Sequence, residues 1–163
     1  MLTQAQLKEV LQYDPDTSEF VWLKQRGWRS DLIGKRAGKT QNKGYRAIRI
    51  YGEDYLAHRL AWLYMKGYFP KGDLDHKNRN KTDNRISNLR LATRSQNLAN
   101  SKRRSSVLKG AFWDKRQKRW FSSIGHKYRS IYLGTFPTAK EAHAAYCKAA
   151  NELHGDFFYI GKE

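Results

Sequence analysis

Four side chains between residues 75 and 97 have the types and the order that metal-assisted hydrolysis requires. Asp75 and His76 are adjacent, Asn88 follows twelve residues after the histidine, and Asn97 lies nine beyond that. The Asp75 carboxylate and the Asn97 amide offer oxygen ligands to a hard divalent cation. His76 is the side chain in this stretch that can take a proton from water near neutral pH. Those are the needs of phosphodiester hydrolysis, in which the nucleophile loses a proton and a cation neutralises the charge growing on phosphorus and the departing oxygen. Any one of these Asp and Asn residues alone would read as a turn or capping residue. The set of four, in this order and in a strongly basic chain, favours a one-metal nuclease site.

The elements that must position them follow from the flanking pattern. Asp73 to Lys77 reads as a short strand, Leu89 to Ala92 as its antiparallel partner, and Thr93 or Ser95 as the start of a helix carrying Asn97. Upstream, residues 1 to 13 read as a short helix opened by a Thr3–Gln6 capping box. Asp14 to Ser18 is a turn, Glu19 to Leu23 a strand, and Lys24 to Lys43 a loop. Tyr45 to Tyr51 alternates as a strand should, and a helix from His58 to Lys66 places Leu56, Leu60, Leu63 and Tyr64 on one side before Gly67 ends it. His58, at the head of that helix, reads first as a packing or capping residue. Its functional alternative is a phosphate contact or a partner lying behind the metal site.

These residues resemble the HNH endonuclease motif in its phage homing-endonuclease form. The wider frame AHRLAW, then DH, NRISNLRLAT and QN, is similar to that group from about Tyr45 to Asn100. The resemblance implies a ββα-metal module in which Asp75 and Asn97 bind one Mg²⁺ or Mn²⁺ ion and His76 is the general base. It also implies that Asn88 steadies the hairpin loop and the histidine. Many HNH proteins have a histidine where this chain has Asn97, and the mainly oxygen site that results favours Mg²⁺ or Mn²⁺ over Zn²⁺.

Charge points the same way. Thirty-two Lys and Arg against fifteen Asp and Glu give a formal net charge of +17 over 163 residues. Such an excess repels itself unless a polyanion screens it, so nucleic acid is the leading partner and an anionic membrane surface the weaker one. No apolar run approaches membrane-spanning length and the first residues lack a signal peptide's pattern, so the expectation is a soluble protein that stays inside a cell. Cys147 stands alone among the alanines of a predicted helix and reads as a small packing residue.

After Asn100 the composition changes. Residues 101–108 read as a basic linker containing Arg103 and Arg104. From Ser101 to Arg129 there are ten Lys and Arg against one acidic residue, Asp114. Lys109, Lys115, Arg116, Lys118 and Arg119 are candidate phosphate contacts, interleaved with the flat side chains Trp113, Trp120 and Tyr132. Strands are predicted at Gly110 to Trp113, Trp120 to Ile124 and Ser130 to Leu133. A helix follows, opened by a Thr138–Glu141 capping box and carrying an apolar stripe from Ala142 to Leu153. The stripe packs on one face of the sheet, and the other face is left for DNA.

This half, from Lys109 to about Phe158, resembles the Apetala-2/ethylene-response-factor DNA-binding domain in KGAFWD, RW, IYLGTFPTAKEAHAAY and ELHG. The resemblance implies a three-stranded sheet laid in the major groove, backed by one helix. Lys109, Trp120 and Tyr132 fall where that family places basic or aromatic residues. Phe112 and Ser123 stand at its polar contact positions, so DNA binding carries over and the plant recognition sequence does not.

The expected whole is an α+β chain. Residues 1–100 hold the HNH module, with its core at about 45–100, and 109–163 form a small three-stranded antiparallel sheet plus one helix. Its expected activity is that of a site-specific, homing-type nickase acting on double-stranded DNA as a monomer or DNA-induced dimer, in a host cytoplasm if phage-encoded. Two other classes compete: a non-catalytic DNA-binding regulator, and an RNA-binding protein, which the same charge and aromatics would serve.

Overall fold

The computed structural model describes residues 1–24, 32–101 and 108–159. Its backbone contacts divide the chain into two compact units, 1–91 and 92–163. The segment from 24 to 43, expected as loop, is described at residues 24 and 32–43, where Ile33 and Arg36 bridge to Trp22 and Val21 and Lys39–Thr40 forms a short strand; most of the 101–108 linker lies outside the described residues, as do Arg103 and Arg104.

The first unit begins with helix α1 (Gln4–Val10), opened by the expected capping box between Thr3 and Gln6. The helix stops three residues short of the predicted end. Leu11–Tyr13 becomes strand β1 and pairs antiparallel with β2 (Phe20–Trp22), which buries Leu11, Tyr13, Phe20 and Trp22 together. The connecting turn is held by Asp14 Oδ1, which accepts the amides of Asp16 and Thr17. A second sheet runs in the order β3 (Lys39–Thr40), β4 (Arg46–Ile50), β5 (Glu53–Leu56). Gly38 sits against it with φ +81°, and a Cβ there would lie 2.5 Å from the carbonyl oxygen of Ala47, so only glycine fits.

Helix α2 (Ala57–Lys66) follows β5 directly and ends at Gly67 in the left-handed conformation. Leu60 and Leu63 on its inner face are almost fully buried with Leu7, Leu11, Phe20 and Ile48. Each such side chain contributes about 1.5–3 kcal/mol through removal from water. A two-stranded ribbon, β6 (Asp73–His76) with β7 (Leu89–Ala92), completes the unit, and Leu74 and Leu89 anchor it in the same core.

The second unit contains α3 (Arg94–Asn100), whose N-cap Thr93 forms a capping box with Gln96. An antiparallel sheet follows, β8 (Ala111–Asp114), β9 (Arg119–His126) and β10 (Arg129–Phe136), then α4 (Ala139–His154). The Thr138 cap of α4 is half the expected box: its hydroxyl accepts the Glu141 amide and donates to the Glu141 carboxylate. Tyr146 and Ala150 of α4 pack on Ile124 of β9. Gly110, at φ +78°, lets the chain pass the Tyr146 ring, which a Cβ would meet at 2.1 Å. Among the described residues no helix is long and apolar enough to cross a membrane.

Candidate active site

The period of two along β6 separates its functional groups. Leu74 and His76 share the face turned to the core, and Asp75 shares the other with Asp73. On the neighbouring strand Leu89 is buried in the core while Arg90 meets Asp75. Arg90 Nε and a terminal guanidinium nitrogen both lie 2.8 Å from Asp75 Oδ2, and both side chains are largely withdrawn from water. Removing either partner of such a pair would leave an uncompensated buried charge, a loss of about 3–5 kcal/mol.

His76 is 4% exposed. Its Nε2 lies 3.1 Å from Oδ1 of Asn84, a residue that is itself 1% exposed. The Asn84 amide faces His76 with its oxygen because its Nδ2 donates to the Thr82 carbonyl at 3.3 Å. In the tautomer that carries its proton on Nε2, His76 donates to this oxygen. Burial holds the imidazole below the usual histidine range, against the opposing pull of the Asn84 hydrogen bond and the Asp75 charge. The ring is thus in its neutral, basic form at neutral pH.

His58 reaches the same place from the first turn of α2. Its ring centroid is 5.2 Å from that of His76, edge to face, and 5.3 Å from that of Tyr45. It does not cap the helix, whose N-cap is Leu56. Its Nδ1 is buried without a hydrogen-bond partner, and burial, then the neighbouring His76, pushes its pKa down to about 3. Lys81 Nζ stands 4.6 Å from the centroid of the Tyr45 ring and donates to the Lys43 carbonyl, which adds a cation to this side of the unit.

Asn88 shapes the loop between β6 and β7. Its Oδ1 accepts the Asn78 amide at 3.0 Å, and its Nδ2 donates to Asn78 Oδ1 and to the Asp83 carbonyl. Asp83 in turn accepts a two-pronged contact from Arg85 and a bond from Asn78. These bonds, the Arg85 contact first, hold the Asp83 carboxyl down at about 2. The expected role of Asn88 as steadier of the loop agrees with this geometry. The side chain on the histidine, however, is Asn84 and not Asn88, because the loop folds back through Asp83 and delivers the residue beside it. Nothing in the run TDNR distinguished Asn84 from its neighbours; Arg90 had a weak signal, as the one cation in the LRLA strand, set on the face opposite Leu89.

Asn97 lies in α3, and α3 groups with the second unit. Lys109 Nζ donates to the carbonyls of Leu98, Ala99 and Ser101, and the Tyr159 amide to that of Ala99. Lys109 therefore caps the end of α3, where its family position had suggested a phosphate. Helix carbonyls left without intrahelical partners attract a cation, which is the physical reason.

The expected DNA-binding aromatics divide between the two faces of the sheet. Trp113 pairs with Trp120 two residues from the buried Ala111–Ser122 pair, so both lie on the side that α4 covers. Phe112, Phe121 and Tyr132 lie on the opposite, open side. Trp113 and Trp120 thus pair on the face opposite Phe112, ring centroids 5.4 Å apart, with Trp113 itself 47% exposed. Lys115, Arg116, Lys118 and Arg119 are exposed, in or beside the β8–β9 turn.

A ribbon bearing Asp-His, an asparagine-pinned loop and a following helix define the class of protein to which this chain belongs. Residues 55–99 match the HNH endonuclease family model, and residues 106–156 match the AP2 domain. The chain belongs to the HNH endonuclease family and carries an AP2 domain after its HNH segment, a pairing that marks a nuclease or DNA-binding role. It is 32% identical over 121 residues to Protein 3.8 of Escherichia phage T7, across 67% of this chain and 95% of that protein. Among solved structures it is similar to the HNH homing endonuclease I-HmuI at TM-score 0.45 and 23% identity, covering 88% of this chain and 77% of that one.

Proposed function

We propose that this protein is a divalent-metal-dependent DNA endonuclease of the homing type that nicks one strand of a duplex. The observation that carries the reading is the neutral His76, pinned through Nε2 by a buried asparagine and next in sequence to Asp75 inside the HNH segment.

The donor types, a carboxylate and an amide oxygen, are those a hard cation takes. Asp75 holds Arg90 on Oδ2, and a carboxylate has lone pairs for more than one partner. Among the described residues no three His, Cys, Asp or Glu side chains gather as a metal-ligating group. A cation here would draw on Asp75, on the Asn97 amide in the proposed arrangement, and on oxygens from water and the scissile phosphate. When bound, Mg²⁺ or Mn²⁺ would supply Lewis-acid stabilisation of the charge on phosphorus and the leaving oxygen. Metal and DNA should then bind cooperatively.

The chain's own part is proton management and orientation. His76 takes the proton from the attacking water as the P–O bond to the 3′ oxygen breaks, and the departing oxygen takes a proton from solvent, leaving 5′-phosphate and 3′-hydroxyl ends. Asn84 keeps the ring in the tautomer and orientation for that transfer, and Asn88 keeps the loop that carries Asn84. Lys81 and the basic surface draw the phosphate in. The proposed setting is the host cytoplasm during infection.

Incubation of supercoiled plasmid with the protein and Mg²⁺ tests the reading: relaxation is expected, abolished by EDTA and by His76→Ala. The ion pair between Arg90 and Asp75, which neutralises the carboxylate, favours one competing reading, a DNA-binding regulator without catalysis. Tight binding with plasmid left supercoiled under every divalent metal would select it.

A further inference from the structure

We propose that the open face of the β8–β10 sheet binds unpaired nucleotides, stacking bases on a row formed by Phe112, Phe121 and Tyr132 while the β8–β9 turn holds their phosphates. The proposal rests on the DNA-binding reading above and narrows it to the state of the DNA that this face accepts.

Strand register builds the row. Phe112 is directly opposite Phe121, and Tyr132 is opposite Ser123, two residues further along β9 on the same face. Ring centroids are 5.3 Å apart from Phe112 to Phe121 and 6.5 Å from Phe121 to Tyr132, with interplanar angles of 24° and 28°. The three rings therefore form a roughly parallel series across all three strands. Phe112 is 37% exposed and Tyr132 63% exposed, so the row ends in water. The Tyr132 hydroxyl is bonded to that of Thr135, which fixes the outermost ring.

Beyond the Asp114–Arg119 pair at its turn end, the rest of that face is small: Ser123, Gly125, Ser130 and Thr135 fall on it by strand pairing, and none of the four reaches far enough to read a base edge at the floor of a major groove. Aromatic rings flanked by small side chains, with their long polar neighbour at one end only, suit the faces of splayed bases, which every base presents whatever its sequence. The cations stand at one end of the row. Lys115, Arg116 and Lys118 lie in the β8–β9 turn, and the carboxylate of Asp114 is turned onto the Arg116 and Gln117 amides. Arg119 begins β9 two residues from Phe121.

Charge selects the occupant. Residues 92–163 hold fourteen Lys and Arg against five Asp and Glu, so a second copy of this chain would be repelled where a nucleic acid strand is attracted. Nicking a duplex creates a strand end that can fray, which supplies unpaired nucleotides where the protein is already bound.

The test measures affinity of the full chain, in EDTA, for a perfect duplex and for the same duplex with a central unpaired bubble. The bubbled duplex should bind at least about fivefold more tightly, the scale of one stacked base. Tyr132→Ala and Phe112→Ala should each reduce that gap by weakening bubbled-duplex binding more than perfect-duplex binding, and Tyr132→Phe should keep it, since the ring stacks without its hydroxyl. Tyr132 is exposed, so its variants should melt with the parent and separate loss of stacking from loss of fold. Equal affinity for the two DNAs, or a gap untouched in a folded Tyr132→Ala, overturns the proposal. So does self-association without DNA that Tyr132→Ala abolishes, which would make a second copy the occupant. Plasmid relaxation is scored separately: its absence with the gap intact defeats the nuclease reading alone, and the reverse defeats this one alone.

Discussion

The β6–β7 ribbon and the β8–β10 sheet handle polarity in opposite ways. In the first, Asp75, His76, Asn84 and Asn88 are all at 8% exposure or below, held by one another and by Arg90, Asn78 and the Asp83 carbonyl. In the second, Phe112 and Tyr132 are left in water although α4 offers a core on the other face. Burying polar groups costs free energy that only matched hydrogen bonds offset, and exposing large rings forgoes burial that would stabilise the fold. Both departures place chemistry where folding alone would not. The first holds an imidazole rigid and dry and the second leaves rings on the surface, so the two units should respond differently to substitution.

Changing the buried base should give the largest contrast. His76→Ala is expected to lower plasmid relaxation by at least about a hundredfold, with DNA affinity retained in a binding assay. If both fall together, the site and the binding surface are not separable. Asn84→Ala should come next, with a relaxation rate about tenfold lower through a misoriented ring. It should also cost about 1–3 kcal/mol of stability, since the buried partners of a lost amide go unpaired.

Acid should distinguish the units again. The His58 imidazole binds a proton at the ordinary histidine pKa when unfolded but only near 3 when folded, so the unfolded state holds more protons between those values. Its contribution is complete above the unfolded value and is lost progressively as pH falls from there toward 3. The melting temperature of the first unit should drop across that window, and His58→Phe, which keeps a ring and removes the proton, should flatten the drop. A profile identical to the parent's would mean that His58 is solvated. The smallest effect belongs to the basic segment before the sheet: Arg103→Ala with Arg104→Ala should reduce the slope of log affinity against log salt by about two if both touch phosphate.

Much of this arrangement was readable in residue order. The capping box at Thr3, the helix start at Thr93, the α2 stripe closed by Gly67, and the three strands before α4 depend on local periodicity and backbone propensity, which act within a few residues. Asp75 and His76 were recognisable because two chemically distinct groups sit side by side ahead of two further asparagines. The places where the pattern misled share one cause. Leu11–Tyr13 continued a helical run yet pairs with Phe20–Trp22, and Lys109 reaches back to the end of α3.

Residue types and their spacing thus determined most of the elements, the basic character of the chain and the HNH segment, since each depends on chemistry carried within a short segment. Only the folded chain decided that Asn84 and not Asn88 meets His76, that Arg90 neutralises Asp75, and that Phe112, Phe121 and Tyr132 align in one row. Those outcomes depend on which loop closes and which strand face is covered, and long-range packing sets both.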